Sequence, residues 1–260
     1  MRTARFPFVV LIFLMIFLIG PFLVVLVASF GGDPSLRFPP TSFSLEWFRE
    51  ALEQRSFIRG FDVSIRVAVL STLASLLVGI PLAYALARYE FPGKAAVELI
   101  ATLPVIIPQL VVGLALLKYL IITTDLPVIP SLVVGHTTLL IPYAVRITLA
   151  SLRNVPLDIE QAAVSLGASR STAFFKVVLP NIRDGVLTAF ILAFILSFNN
   201  VPVSLFLTDV GVATLPIQML VYMEYNFDPS IAALSTLLIL FSTAVVFAAE
   251  RVIGLSQAFK

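Results

Sequence analysis

Long apolar runs, separated by charged segments or by Pro and Gly, constrain the fold of this chain more than any other feature. A helix needs roughly 20 apolar residues to cross a hydrocarbon layer of about 30 Å. Runs of that length occur at residues 6–30, 63–87, 96–120, 128–150, 185–208 and 231–252. The chain is therefore predicted to be an all-α integral membrane protein with six transmembrane helices.

The composition agrees with this prediction. Of 260 residues, 59% are hydrophobic and 12% are charged, against about 45–50% and about 25% in soluble domains. One globular core cannot bury that excess, and soluble proteins rarely expose large apolar patches, so lipid is the expected surroundings. A net charge of +2 does not suggest a nucleic-acid partner, and the absence of Cys rules out disulfides and thiolate metal sites.

The first apolar run resembles a secretory signal peptide, because Arg2 and Arg5 precede it. It continues to Phe30, however, and lacks a suitably placed small-residue cleavage site. We therefore interpret it as a retained span.

The distribution of basic residues predicts the orientation, because short cytoplasmic loops are enriched in Lys and Arg. With the N-terminus inside, the outer loops 121–127 and 209–230 contain no basic residue, whereas loop 31–61 carries both signs. The basic residues then predicted inside are Arg2, Arg5, Arg88, Lys94, Arg153, Arg170, Lys176, Arg183, Arg251 and Lys260. Both termini are predicted to be cytoplasmic.

Residues 151–184 form the longest predicted cytoplasmic loop, here called the elbow. Asn154 is a candidate N-cap and Pro156 suits the start of a helix, while Asp158 and Glu160 complement its positive end. A short, rigid helix is therefore expected.

A second helix is predicted after a turn. Gly167 suits the left-handed conformation that ends many helices, Ser169 suits an N-cap, and Pro180 suits the end of the second helix. Ala162 and Ala163 are small enough for a partner's surface to approach the backbone. The elbow is thus predicted to be a helix–turn–helix.

The elbow sequence resembles the EAA motif of inner-membrane permeases of binding-protein-dependent ABC importers. That family has Glu-Ala-Ala, three residues, Gly, nine residues and Ile-x-Leu-Pro. At the same spacing this chain has Gln161, Ala162, Ala163, Gly167, Val177, Leu179 and Pro180. Gln161 stands where Glu is usual, with Glu160 just before it, and Val177 replaces Ile.

The resemblance implies that the elbow docks on a cytoplasmic ATPase and transmits its motion to the membrane spans. The residues implied in coupling are Glu160, Gln161, Ala162, Ala163, Gly167, Leu179 and Pro180. With Gln161 in place of Glu, an acidic contact to the ATPase either moves to Glu160 or becomes a neutral hydrogen bond. The alternative is an ordinary amphipathic helix on the membrane surface.

The sequence contains no phosphate-binding loop, because Gly93-Lys94 lacks the upstream glycine. We expect this chain to be no enzyme and to bind no cofactor, while ATP and Mg²⁺ are used by a partner ATPase. An intramembrane enzyme is not indicated, since there is one His, no Cys and no paired intramembrane carboxylate.

Three further segments, residues 43–48, 82–88 and 197–202, resemble the second permease subunit of spermidine/putrescine-type importers. The resemblance covers residues 1–260 as a single transmembrane permease domain and implies the type I ABC importer (MetI-like) fold in a bacterial inner membrane. The implied partners are a second homologous permease, two ATP-binding subunits and an extracytoplasmic solute-binding protein. The implied solute is a polyamine.

Other solutes fit the same machinery: an amino-acid-like amine, an aminophosphonate or ferric iron. An ATP-independent secondary transporter is the competing class. Uptake that persists without an active ATPase would favour it.

Polar residues inside the spans are candidates for the solute path. Pro202 cannot donate an N–H to Phe198, so a break is predicted beside Asn199 and Asn200. Irregular backbone at membrane depth lies in protein or along a water-filled cavity. Asn199, Asn200 and Pro202 are therefore candidates for the translocation pathway, and helix–helix contact is the alternative. For His136 an interhelical hydrogen bond is expected rather than a solute contact.

Two further segments carry structural expectations. Pro104, Pro108 and Gly113 suggest an irregular helix in the third span. Residues 44–60 have the apolar spacing of an amphipathic helix on the outer surface.

Overall fold

The computed structural model describes residues 5–226 and 228–253, and within these ranges the chain is α-helical without a β-strand. Two π-helical segments, Leu117–Thr123 and Phe174–Val178, continue α5 and α8. The α-helices are α1 Arg5–Ala28, α2 Glu46–Glu53, α3 Arg55–Arg88, α4 Lys94–Ile106, α5 Gln109–Leu116, α6 Val128–Arg153, α7 Leu157–Ser165, α8 Arg170–Ala173, α9 Leu179–Asn181, α10 Arg183–Phe198, α11 Ser204–Leu207, α12 Leu215–Tyr225 and α13 Ser230–Ile253. The all-α architecture is confirmed.

Four of the described helices are long and apolar enough to cross a membrane. They contain Phe8–Ala28, Arg55–Arg88, Val128–Arg153 and Ser230–Arg251. Two bent pairs bring the number to as many as six if each is one span, Lys94–Ile106 with Gln109–Thr123 and Arg170–Asn181 with Arg183–Phe198.

The third predicted span, residues 96–120, is not one straight helix. α4 and the segment after it meet at an angle of 99°. The break lies at Ile107 and Pro108, whose ψ angles of 133° and 126°, respectively, are those of extended backbone. A residue before proline is driven out of the helical region by the proline ring, so the irregularity expected from Pro104 and Pro108 is found at the second of them.

Residues 44–60 do not form one continuous helix. α2 ends at Glu53, and Gln54 has an extended ψ of 112° before α3 begins at Arg55. The helix predicted at 63–87 therefore starts earlier than its apolar run, since α3 also includes the polar residues from Arg55 onward.

The chain divides into two compact units. The first comprises the described parts of Met1–Ile58 and Gln218–Ala244. Within it, the Phe57 and Tyr222 rings meet edge to face at 5.0 Å, and the Tyr222 hydroxyl donates to Asp228 Oδ2 at 2.7 Å. Burial and this hydrogen bond raise the pKa of Tyr222 to about 12.

The second unit comprises Arg59–Ile217 and the described part of Val245–Lys260, and α6 runs through its core. α6 packs most extensively on α10 and α4. Small residues bring two other helices close to α6: a methyl group on Gly79 of α3 would lie 2.6 Å from Ala144 Cβ, and one on Gly135 of α6 would lie 2.6 Å from Leu207 Cδ1 of α11. Such close contacts are typical of helices packed in membranes.

Candidate functional site

The elbow is folded as a helix–turn–helix. α7 ends at Ser165, and Gly167 has φ of 93°, the left-handed conformation expected there. Ser169 then accepts a hydrogen bond from the Thr172 backbone N–H at 3.2 Å, which confirms the predicted cap. The turn is thus determined by local residue preferences.

The start of the elbow differs from the prediction. Asn154 ends α6 with helical angles instead of capping α7, and its backbone N–H donates to Ser151 O at 3.2 Å. Pro156 lies just before Leu157, the first residue of α7. α6 continues to Arg153, and Leu152 in its last turn is buried. We infer that this packing outweighs the preference of Asn154 for the start of α7.

One face of α7 is exposed. Gln161, Ala162 and Gly167 are accessible and Ala163 is half-buried. Leu166, at the end of the helix, is 89% exposed. An apolar side chain this accessible on a capped, rigid turn is suited to contact a partner.

Glu160 faces the opposite way and is buried. Its Oε2 lies 3.2 Å from Arg88 Nε, and its Oε1 accepts a hydrogen bond from the Tyr84 hydroxyl. Arg88 also donates from Nη2 to Val155 O at 3.0 Å. The idea that Glu160 offers an exposed acidic contact therefore does not fit the structure, and the neutral side chain of Gln161 is the accessible one.

Tyr84 and Arg88 were not predicted as parts of this site. They lie four residues apart near the end of α3, and this spacing places two side chains on one helix face. A cavity of about 530 Å³ flanks them and is also lined by Gln161 and Arg170.

The end of the elbow contains the last two motif residues. Leu179 is half-buried and Pro180 is exposed in the last turn of α9, one residue before the helix ends at Asn181. The Leu179 N–H donates to Phe174 O, five residues back, which widens the helix into a π-turn just before the proline. The adjoining α10 is bent by 71° from this segment.

A second candidate site is a cavity of about 240 Å³ in the same unit. Asn199, Asn200 and Pro202 line it, together with Gln109 and Tyr143, which the sequence did not single out. Among residues 5–226 and 228–253, no group of three or more His, Cys, Asp or Glu side chains is placed to hold a metal ion.

The cavity lies at the predicted break. α10 ends at Phe198, and the helix resumes at Ser204. Asn200 stabilises this gap, because its Oδ1 accepts from Val203 N at 3.0 Å and its Nδ2 donates to Gln109 Oε1 at 3.0 Å. Asn199 is exposed and donates only to Ile195 O of its own helix, at 3.0 Å.

His136 bridges the two sides of the break. Its Nδ1 lies 2.8 Å from Ser197 Oγ and its Nε2 lies 3.0 Å from Ser204 Oγ. The imidazole is buried and also borders the cavity. The interhelical hydrogen bond expected for His136 is confirmed.

The chain matches a known protein family over more than half of its length. Residues 75–255 match the family described as binding-protein-dependent transport system inner membrane component. The match includes the entire elbow and the broken segment after α10.

Two curated relatives come from Escherichia coli (strain K12). The spermidine/putrescine transport system permease protein PotC is 28% identical over 234 residues, which are 89% of this chain and 88% of that protein. The putrescine transport system permease protein PotI is 27% identical over 246 residues, which are 91% of this chain and 87% of that protein.

A solved structure shares the fold. It is the bacterial alginate ABC transporter in complex with alginate pentasaccharide-bound periplasmic protein, with a TM-score of 0.74 and 16% identity over 95% of this chain and 91% of that chain. The expected ABC importer permease fold is confirmed by this likeness.

Proposed function

The chain belongs to the family of binding-protein-dependent transport system inner membrane components, and on this premise we propose that its elbow couples it to a separate ATPase while its polar cavity forms part of the solute path. As a member of this family it is a permease subunit of an ABC importer and a component of the bacterial inner membrane. The coupling residues, the partners and the solute are the proposed parts.

The exposed end of α7 is the observation that carries the coupling proposal. Leu166 is 89% exposed, whereas Val178 and Ile182 on the inner side of the elbow are buried. An apolar residue gains free energy when a partner removes it from water, and the small, exposed Ala162 lets that partner approach the backbone. The surface therefore supports docking of a protein, and we assign Gln161 the neutral hydrogen bond.

The proposed partners follow from the family. Two ATP-binding subunits hydrolyse ATP, a second homologous permease completes the membrane part, and an extracytoplasmic binding protein delivers the solute. One alginate transporter structure, with the same fold, includes a periplasmic protein.

We assign the transported solute to the polyamines, because PotC and PotI are named for spermidine and putrescine transport. The cavity supplies neutral oxygen acceptors from Gln109, Tyr143 and Asn199. Amide and hydroxyl oxygens accept hydrogen bonds from ammonium groups, so the lining can contact a polyamine without holding it as tightly as a carboxylate would.

Cysteine cross-linking tests the coupling proposal, because the natural sequence contains no Cys. Leu166→Cys should react with membrane-impermeant thiol reagents only from the cytoplasmic side, and should cross-link to a protein with a phosphate-binding loop. Val210→Cys is the matched control, since Val210 is also fully exposed but lies in a predicted outer loop. Labelling of Leu166→Cys from outside, or capture only of proteins without a phosphate-binding loop, contradicts the proposal.

Spermidine uptake tests the path. Asn199→Ala should change the KM or kcat of uptake while the complex stays assembled, because Asn199 makes no bond to another helix. Asn200→Ala should lower both uptake and stability. Unchanged uptake kinetics in both variants would refute the path assignment.

A further inference from the structure

Three side chains join α3 to the elbow, and of these Tyr84 is half-buried. The side chains of Arg88 and Glu160 are 9% and 10% exposed, and their charged atoms lie 3.2 Å apart. Tyr84 donates its hydroxyl hydrogen to the other oxygen of Glu160. Arg88 also reaches the backbone of Val155, just before α7. The C-terminal end of α3 thus contacts both a residue just before α7 and the first turn of α7.

Tyr84 also contacts the second helix of the elbow. Its ring meets the Phe174 ring edge to face, with centroids 4.9 Å apart. Since the Tyr84 hydroxyl bonds Glu160 on α7, a single residue of α3 contacts both arms of the elbow.

A buried ion pair is an inefficient way to stabilise a protein. Removing two charges from water costs about as much as their attraction returns, and apolar replacements are often as stable. A paired and hydrogen-bonded carboxylate does, however, fix distance and orientation more narrowly than apolar packing. The arrangement therefore favours a role in positioning over one in stability.

We propose that Tyr84, Arg88 and Glu160 form a tie that makes α3 move with the elbow. The elbow is covalently continuous with α6 and α10, and Ala83 and Leu86 of α3 pack in one apolar cluster with its Val155 and Val178. The tie fixes the orientation of α3 at this contact, so that α3 is a third helix that receives the displacement. This inference rests on the proposed docking of the elbow on an ATPase. Glu160 then acts from within the permease, as a positioning residue that touches no ATPase.

The test uses the complete transporter in proteoliposomes, with its solute-binding protein. Arg88→Gln, Glu160→Gln and their double variant remove the charges, and Tyr84→Phe removes one hydroxyl while keeping the ring on Phe174. Arg153→Gln is the control, since Arg153 is an exposed arginine at the end of α6. Retained ATPase subunits, ATP hydrolysis and spermidine uptake are measured for each variant.

The tie variants should keep their ATPase subunits. The number of ATP molecules hydrolysed per spermidine imported should nevertheless rise by about fivefold or more, which is the lower end of typical coupling between two sites. Because Arg88 and Glu160 act as one interaction, the double variant should be no worse than either single variant. Arg153→Gln should resemble the natural protein.

An unchanged ratio in assembled tie variants, or additive losses in the double variant, overturns the tie. Loss of ATPase subunits from Tyr84→Phe also overturns it, because the hydroxyl would then be needed for elbow assembly. Failure of the docking proposal has a different signature, which is the absence of an ATPase cross-link to Leu166→Cys in the otherwise natural protein.

Discussion

Gly185, in the first turn of α10, lies directly against Ser151, near the end of α6. A methyl group on Gly185 would lie 2.6 Å from Ser151 Cβ, closer than two carbons can approach. The two helices that leave the membrane part for the elbow therefore converge at its base. The proposed coupling requires an elbow that moves as a body, and closure at its base favours such a movement.

Gly185→Ala should destabilise the protein by about 1–3 kcal/mol, the usual cost of inserting a group into a packed contact. The thermal unfolding midpoint of the purified complex measures this effect. Ser151→Gly in the same chain should restore the midpoint by removing the opposing side chain. Gly211→Ala is the control, since nothing lies within 4 Å of a methyl group there. A normal midpoint for Gly185→Ala would contradict the close contact.

Gly167→Val should weaken association of the ATPase subunits. A methyl group at Gly167 meets nothing within 4 Å, so the effect comes from the backbone at φ of 93° and not from a clash. Left-handed conformation costs a residue with a side chain about 1–2 kcal/mol, and the β-branch adds to this.

Gly167→Asn serves as the matched variant, because Asn tolerates this conformation best. It should retain more ATPase than Gly167→Val in a pull-down of the membrane complex. Equal retention by both variants would show that the turn conformation does not matter.

His136→Ala should lower both stability and spermidine uptake. The substitution removes the imidazole that hydrogen-bonds the hydroxyls of Ser197 and Ser204. An unsatisfied buried polar group lowers the free energy of unfolding by about 1–3 kcal/mol. Thr138→Val is the control, because the Thr138 hydroxyl bonds only Val134 O of its own helix. If the two variants unfold at the same temperature, His136 does not bridge the break.

Gly113→Leu should block uptake without preventing assembly. A methyl group on Gly113 would already lie 3.1 Å from Pro202 O and 2.7 Å from Phe206 Cδ2, so a larger side chain must displace the broken segment beside the cavity. Ala115→Leu, on an exposed position of the same helix, should leave uptake unchanged. Equal uptake by the two variants would argue against a role for this contact.

Local features could be predicted from the sequence because neighbouring residues cause them. The left-handed turn at Gly167 and the cap at Ser169 depend on the conformational preferences of glycine and serine. The break before Ser204 depends on the missing N–H of Pro202. The apolar runs likewise predict the all-α fold, since lipid admits few other structures for such a chain.

Asn154 marks the limit of such prediction. Its residue type favours the start of α7, yet it ends α6, because the helix continues as far as the buried Leu152. A capping preference of about 1 kcal/mol is smaller than the gain from burying a leucine, roughly 1.5–3 kcal/mol.

The sequence alone determined the all-α fold, the left-handed turn at Gly167, the cap at Ser169 and the motif of the elbow. Only the tertiary structure decided that Glu160 points inward to Arg88, that Asn200 bonds Gln109 and that His136 bonds both serines. The Asn200–Gln109 bond joins residues 91 positions apart, and the two bonds of His136 join residues 61 and 68 positions apart. Such pairings depend on how far each helix is bent and rotated when it packs, and residue type and spacing do not encode these angles.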